Sequence, residues 1–312
     1  MRISNEAIEY SSEIQFDIPK TSGGGKTSEK LPCRDPFILL YGDKYYLYKN
    51  WNDELVCMVS DNLEDWSKPV IVFEKPENFH GSKQFFWAPE CHYYKGMFYI
   101  FTSVFSEPYQ HRMISVYRAD NPLGPFEDIT GGHITPEEWD AIDGTLYVDE
   151  DEQPWMVFVH EWTCMPDKNG AMAAAKLSND LSHFISTPIE LFRARDPEWA
   201  KTGVTDGPFL YRSQDKLFML WSNLSENGYC VAVSQSSNGK IDGEWIHSSR
   251  LLYEKGAYPE FSTDGGHAMI FVDKDGKLRI TLHGPNKSCE DDFEHVLIFE
   301  LIEKEGTLEI AL

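Results

Sequence analysis

Apolar and polar side chains alternate through short stretches of this chain, each closed by turn residues, and no stretch holds a helical period for long. Arg34 to Tyr48 (RDPFILLYGDKYYLY) lies on Trp87 to Phe101 (WAPECHYYKGMFYIF) without a gap, placing Pro36 on Pro89, Tyr41 on Tyr94, Tyr46 on Tyr99 and Tyr48 on Phe101. Gly207 to Leu220 fits the same frame, with Pro208 on Pro36, Phe209 on Phe37 and Lys216 on Lys44. A third unit after Asp143 needs about two extra turn residues, and a fifth keeps an Asp-Lys-Asp-Gly-Lys turn after His267. The markers Pro36, Pro89, Asp143, Asp206 and Gly265 stand 53, 54, 63 and 59 positions apart, room for four short strands each.

Each unit carries a second half of the same kind. Val56–Ser60 with Trp66, Ile114–Tyr117 with Phe126, Ala171–Leu177 with Phe184, and Val231–Val233 with Trp245 join a β-prone run to an aromatic. The last unit closes with His295–Leu301 and Thr307–Leu312. The pattern predicts an all-β chain: a single five-bladed β-propeller of four-stranded antiparallel blades over residues 33–312, behind an N-terminal lead-in of residues 1–32.

Composition narrows the partners. Aromatic residues make up 14% of the 312, which suits both packing between blades and stacking on sugars. A formal net charge of -23 disfavours nucleic acid and other polyanions and leaves a neutral carbohydrate as the better ligand. There is no apolar run long enough to span a membrane, and residues 1–20 are too polar for a signal peptide, so the expected location is cytoplasmic, or secreted if a leader has been removed. Cys33, Cys57, Cys91, Cys164, Cys230 and Cys289 show no CxxC spacing and read as reduced thiols. Ser22–Lys26 (SGGGK) lacks the spacing of a phosphate-binding loop.

Asp35, Asp143 and Asp206 open three of the five units, and equivalent ends of stacked units converge on one axis. An aspartate before Pro or Gly is ordinarily a turn residue capping its own backbone. Three in register point instead to carboxylate chemistry. Cleaving a glycosidic bond takes one protonated carboxyl to give a proton to the leaving oxygen and one ionised carboxyl to activate water. A third carboxylate nearby keeps the acid protonated by like-charge repulsion.

The series Arg34-Asp35-Pro36-Phe37, Ala141-Ile142-Asp143-Gly144, Thr205-Asp206-Gly207-Pro208 and Gly265-Gly266-His267 resembles glycoside hydrolase family 43 over essentially the whole chain. The resemblance implies an inverting enzyme on plant-type pentose glycans, an α-L-arabinofuranosidase or β-D-xylosidase, with Asp35 as general base, Asp143 as pKa modulator and the fourth-blade carboxylate as general acid. That acid is a glutamate in the family and Asp206 here. A carboxyl set back by about 1 Å can lower the rate about a hundredfold. Glu161 is therefore kept as an alternative acid, with Glu90 behind it.

The resemblance also places His267 toward the central channel, where some members hold a calcium ion or a water; no cofactor is required, and His267 is the residue that would hold such an ion. Trp87, Trp162, Phe86, Trp51 and Trp221 are candidates to line a sugar pocket, Trp87 first, with Arg34, Arg212 and Glu90 as further ligand contacts. The loops 75–84, 106–111 and 163–170 are expected to set substrate choice. Two other readings compete. One is a retaining fructosidase-like propeller, suggested by the strings Arg34-Asp35-Pro36 and Glu90-Cys91; the other is a non-catalytic carbohydrate-binding propeller that has lost its acid.

Overall fold

The structure, a computed structural model, describes residues 30–81, 86–287, 292–304 and 306–312. The alternating runs become twenty strands in five antiparallel sheets of four, each sheet a contiguous stretch of chain. The first blade holds β1 (Phe37–Tyr41), β2 (Lys44–Trp51), β3 (Glu54–Ser60) and β4 (Val70–Phe73). The second holds β5 (Trp87–Tyr94), β6 (Met97–Ser106), β7 (His111–Ala119) and β8 (Glu127–Asp128). The third runs through β9 (Ala141–Val148), β10 (Pro154–His160), β11 (Ala171–Lys176) and β12 (Ile189–Arg193). The fourth is β13 (Asp206–Ser213), β14 (Lys216–Ser225), β15 (Gly228–Ser236) and β16 (Trp245–His247). The fifth is β17 (Gly266–Val272), β18 (Leu278–Gly284), β19 (His295–Lys304) and β20 (Thr307–Ala311).

The strands' high aromatic content fills the spaces between blades. Five buried clusters sit one at each junction. Tyr46, Tyr48 and Leu55 meet Cys91, Phe98 and Tyr117 between the first two blades, and Phe101 and Val116 meet Met156 and Phe158 at the next. Val157 and Phe192 meet Met219 and Trp221, then Phe218 and Leu220 meet Ile270 and Leu282. Phe37, Ile38 and Leu47 close the ring against Met269 and Phe271 of the fifth blade. Removing one such side chain to Ala costs about 2–5 kcal/mol. Trp221, a candidate pocket residue from sequence, is one of these fillers. It is fully buried, 5.1 Å from the Phe192 ring, with its indole N–H donated to Ser234.

The ends of the ring meet at a short seam. The Cys33 amide donates to the Glu294 carbonyl and the Val296 amide to the Leu31 carbonyl, with Pro32 bridging His295. Leu31 and Pro32 are thus packed against the fifth blade. Cys33, Cys57, Cys91, Cys164 and Cys230 are free thiols; Cys289, the Ser22–Lys26 run and most of the lead-in lie outside the described residues.

Candidate active site

Four of the five blades begin with the same backbone irregularity. The inner strands of blades two to five pair normally at Trp87, Ile142, Asp206 and Gly266, slip, and resume pairing three residues later. The residue after each paired position turns left-handed: Ala88 at φ 42°, Asp143 at 55°, Gly207 at 51° and His267 at 54°, with Asp35 at 52° in the first blade. Such a backbone costs a non-glycine residue on the order of 1–3 kcal/mol and persists only where neighbours hold it. Here the holding groups come from the preceding blade. The Asp143 amide donates to Ser103 Oγ of β6, the His267 amide to Ser222 Oγ of β14 and the Asp35 amide to His283 Nδ1 of β18.

This register corrects one expectation. Asp206 is not equivalent to Asp35 and Asp143; Gly207 is, and Asp206 sits one residue earlier, level with Arg34, Trp87, Ile142 and Gly266. The reason lies in what occupies the space at Gly207. A Cβ there would stand 2.7 Å from Cγ of His267, so only glycine admits the imidazole, and the Gly207 amide then donates to Asp143 Oδ2 at 3.0 Å. The carboxylate of the fourth blade enters from the neighbouring position.

Asp35, Asp143, Asp206 and His267 nevertheless line one cavity of about 720 Å³, together with Arg34, Lys49, Trp51, Phe86, Trp87, Glu161 and Trp162. His267 Nδ1 lies 3.1 Å from Asp35 Oδ1 and 3.8 Å from Asp143 Oδ2. Burial alone would lower the His267 pKa, but the two carboxylates raise it to about 10, so the ring is an imidazolium at neutral pH. Burial likewise pushes Asp35 up, and the imidazolium overrides it, holding Asp35 well below the carboxylate range. Asp206 goes the other way. Burial first, then the Asp143 charge, push it up to about 7, against the opposing pull of His267 and of Tyr229. Asp143 is raised to about 6, again by burial first, with the Asp35 charge adding and His267 opposing. One cavity therefore holds a carboxylate kept ionised and another whose proton is retained to near neutral pH, which is what paired acid and base work needs.

The remaining predicted residues divide. Trp87 and Trp162 are 39% and 37% exposed and offer open ring surface to a sugar. The Arg112 guanidinium lies 3.2 Å from the centroid of the Trp87 ring. Glu161 shares the cavity wall, accepts the Thr163 hydroxyl and is shifted upward by burial. Arg34 is tied to Glu294 at 2.8 Å and to Asp35 at 3.6 Å. Glu90 does not line the cavity: it is buried against His92, 3.1 Å from its Nε2, while its charge still acts on Asp143 and His267. Arg212 is spent on Tyr147 and Gly239 at the periphery. None of the described residues in the three loops proposed to set specificity lines the cavity.

His267 is the residue expected to hold a calcium ion where one is bound. Among the described residues no three His, Cys, Asp or Glu side chains are arranged for a metal ion, and Nδ1 is committed to carboxylates, so no step below runs through one. Sequence reasoning missed Tyr229, whose hydroxyl donates to Asp206 Oδ2 at 2.9 Å, and Lys49, 4% exposed, whose ammonium donates to the Pro32 carbonyl. It also missed Ser103, Ser222 and His283, although they occupy matching register positions opposite Trp87, Asp206 and Gly266.

Known proteins resemble the chain over most of its length. The family model for glycosyl hydrolases family 43 matches residues 30–303. The crystal structure of an endo-arabinase from Bacteroides thetaiotaomicron is 36% identical, with a TM-score of 0.80 over 88% of this chain and 96% of that one. An extracellular exo-α-(1→5)-L-arabinofuranosidase of Cellvibrio japonicus is 24% identical over 70% of this chain and 67% of its own length. An α-L-arabinofuranosidase of Humicola insolens is 23% identical over 81% of this chain, which spans about half of that relative, 54%.

Proposed function

The chain belongs to glycosyl hydrolases family 43, and from that premise we propose that it is an inverting hydrolase of α-L-arabinofuranosyl linkages in arabinan or arabino-oligosaccharides. Membership makes the chain a glycoside hydrolase and displaces the fructosidase-like and purely carbohydrate-binding readings. Three relatives named as arabinan-cleaving or arabinofuranosidase enzymes support arabinose over xylose. The observation that carries the mechanism is the opposed tuning of Asp35 and Asp206 within one cavity.

In this reading the Asp35 carboxylate accepts a proton from a water molecule as that water's oxygen bonds to the anomeric carbon. The glycosidic carbon–oxygen bond breaks on the opposite face, and Asp206 delivers its proton to the departing oxygen. Asp143 keeps that proton on Asp206 before the reaction, and the His267 imidazolium keeps Asp35 ionised. Asp206 leaves the cycle ionised and Asp35 protonated; exchange with solvent resets both. Glu161 is the second candidate for the acid, because it lies on the same wall and is also shifted upward.

Hydrolysis of arabino-oligosaccharides and of aryl α-L-arabinofuranosides, followed by NMR of the first-formed anomer, tests the reading. Asp35→Asn should abolish turnover of both substrates, and the product should appear inverted. Asp206→Ala should lose the oligosaccharide far more than an aryl substrate with a good leaving group, which needs no proton. Retained configuration, or full activity in Asp35→Asn, would overturn the mechanism; if Glu161→Gln alone shows the leaving-group dependence, the acid is Glu161.

A further inference from the structure

The shorter acid raises a question of orientation. Asp206 ends one methylene earlier than the glutamate it replaces, so a freely turning carboxyl would present its proton to the glycosidic oxygen only part of the time. We propose that Tyr229 is the positioning residue that removes this freedom: its hydroxyl occupies Oδ2 of Asp206, so the transferable proton is carried on Oδ1, the oxygen left for the substrate. The inference rests on the assignment of Asp206 as the acid.

Four observations support it. Tyr229, at the start of β15, is 2% exposed, and its hydroxyl donates to Asp206 Oδ2 at 2.9 Å. Burial and the surrounding carboxylates push the phenol well above its ordinary range, so it stays a donor rather than a second acid. Ring and backbone are each held. Its plane lies 29° from that of His283 with centroids 5.6 Å apart, and its amide donates to Asp264 Oδ2 at 3.2 Å. Space for it is made by Gly266, where a Cβ would fall 2.4 Å from Tyr229 Cε1. The glycine before His267 thus serves a tyrosine on the adjoining blade.

The groups around Asp206 are Asp143 on β9, His267 on β17, Asp35 and Arg34 at the entry to β1, Glu161 beyond β10 and Tyr229 itself. Among them Tyr229 supplies a neutral donor that favours the ionised carboxylate. Tyr229→Phe should therefore move the basic limb of kcat/KM upward by about half to one pH unit. It should lower kcat on an unactivated arabino-oligosaccharide about tenfold or more, and on a 2,4-dinitrophenyl arabinofuranoside by less than about threefold. In an Asp206→Ala background the same change should have no further effect on either substrate.

The activated substrate doubles as the folding control. Should Tyr229→Phe fail to melt cooperatively, 3-fluorotyrosine placed at position 229 keeps the ring, strengthens the hydroxyl as a donor and should move the basic limb downward instead. Equal losses on both substrates with an unmoved basic limb would overturn the inference and leave Tyr229 a packing residue. If Asp206→Ala itself shows no leaving-group dependence, the acid assignment fails instead, and the two failures are told apart by that single control.

Discussion

Asp143→Asn tests the electrostatic logic of the site most directly. The substitution keeps an oxygen able to accept the Gly207 amide and removes only the charge. Burial is the larger cause of the upward shift of Asp206 to about 7 and remains in the variant; the Asp143 charge is the next and disappears. Loss of a close like charge should lower the Asp206 pKa by about one unit. At pH 7 the protonated fraction then falls from about one half to about one tenth, so kcat/KM drops about fivefold, rising to about tenfold at pH 8. Asp143 itself is raised to about 6, so below that pH its charge is already being neutralised in the wild type. The two enzymes should therefore converge near pH 5. A pH series of kcat/KM on an unactivated arabino-oligosaccharide from pH 4 to 9 gives the answer. A basic limb that stays in place or moves upward would refute the reasoning. An unmoved limb would also favour Glu161, whose upward shift comes from burial, Asp206 and Asp140 rather than from Asp143.

Two other outcomes follow from the same geometry. Because the folded pKa of Asp206 stands above that of an unfolded carboxylate, its contribution to stability is fully present below about pH 4 and is lost as pH rises through about 7; Asp206→Asn should therefore raise Tm over the wild type at pH 8 and show no such gain at pH 4, in melts at both pH values. Trp87→Ala should raise KM about three- to tenfold with kcat largely kept, as expected for a stacking surface that binds substrate and transition state alike; an equal fall in kcat would place the ring in the chemistry instead.

The propeller was legible because its signal is repeated. Pro36, Pro89 and Pro208, and the paired aromatics Tyr46 and Tyr99, recur in register, and each recurrence marks an equivalent strand facing the next inter-blade space in turn. Asp35 and Asp143 were legible for the same reason, and Asp206 came with them. Its offset by one residue is implied by the alignment that sets Pro208 on Pro36, but what the offset means was not legible, since an aspartate before glycine looks the same whether it occupies the left-handed residue or precedes it. Ser103, Ser222 and His283 stayed hidden because each acts across a blade boundary from the second strand of its neighbour, and Tyr229 because it reaches Asp206 from the third strand of the same blade. Glu90 misled for the converse reason: the entry at Ala88 carries no acid, and two residues on the strand has turned its side chain inward to His92.

The seam between the last and first blades lies beside Asp35, the residue assigned to activate water. Its amide is held by His283 of the fifth blade, and the chain just before it is tied to Glu294 and Val296 through Cys33 and Leu31. Warming that parts the two chain ends would therefore disarm water activation while four of the five junctions stay closed. Heat inactivation would then run ahead of the loss of β-structure, and a tether across residues 31 and 296 would lengthen the working life of the enzyme more than any repacking of the blades.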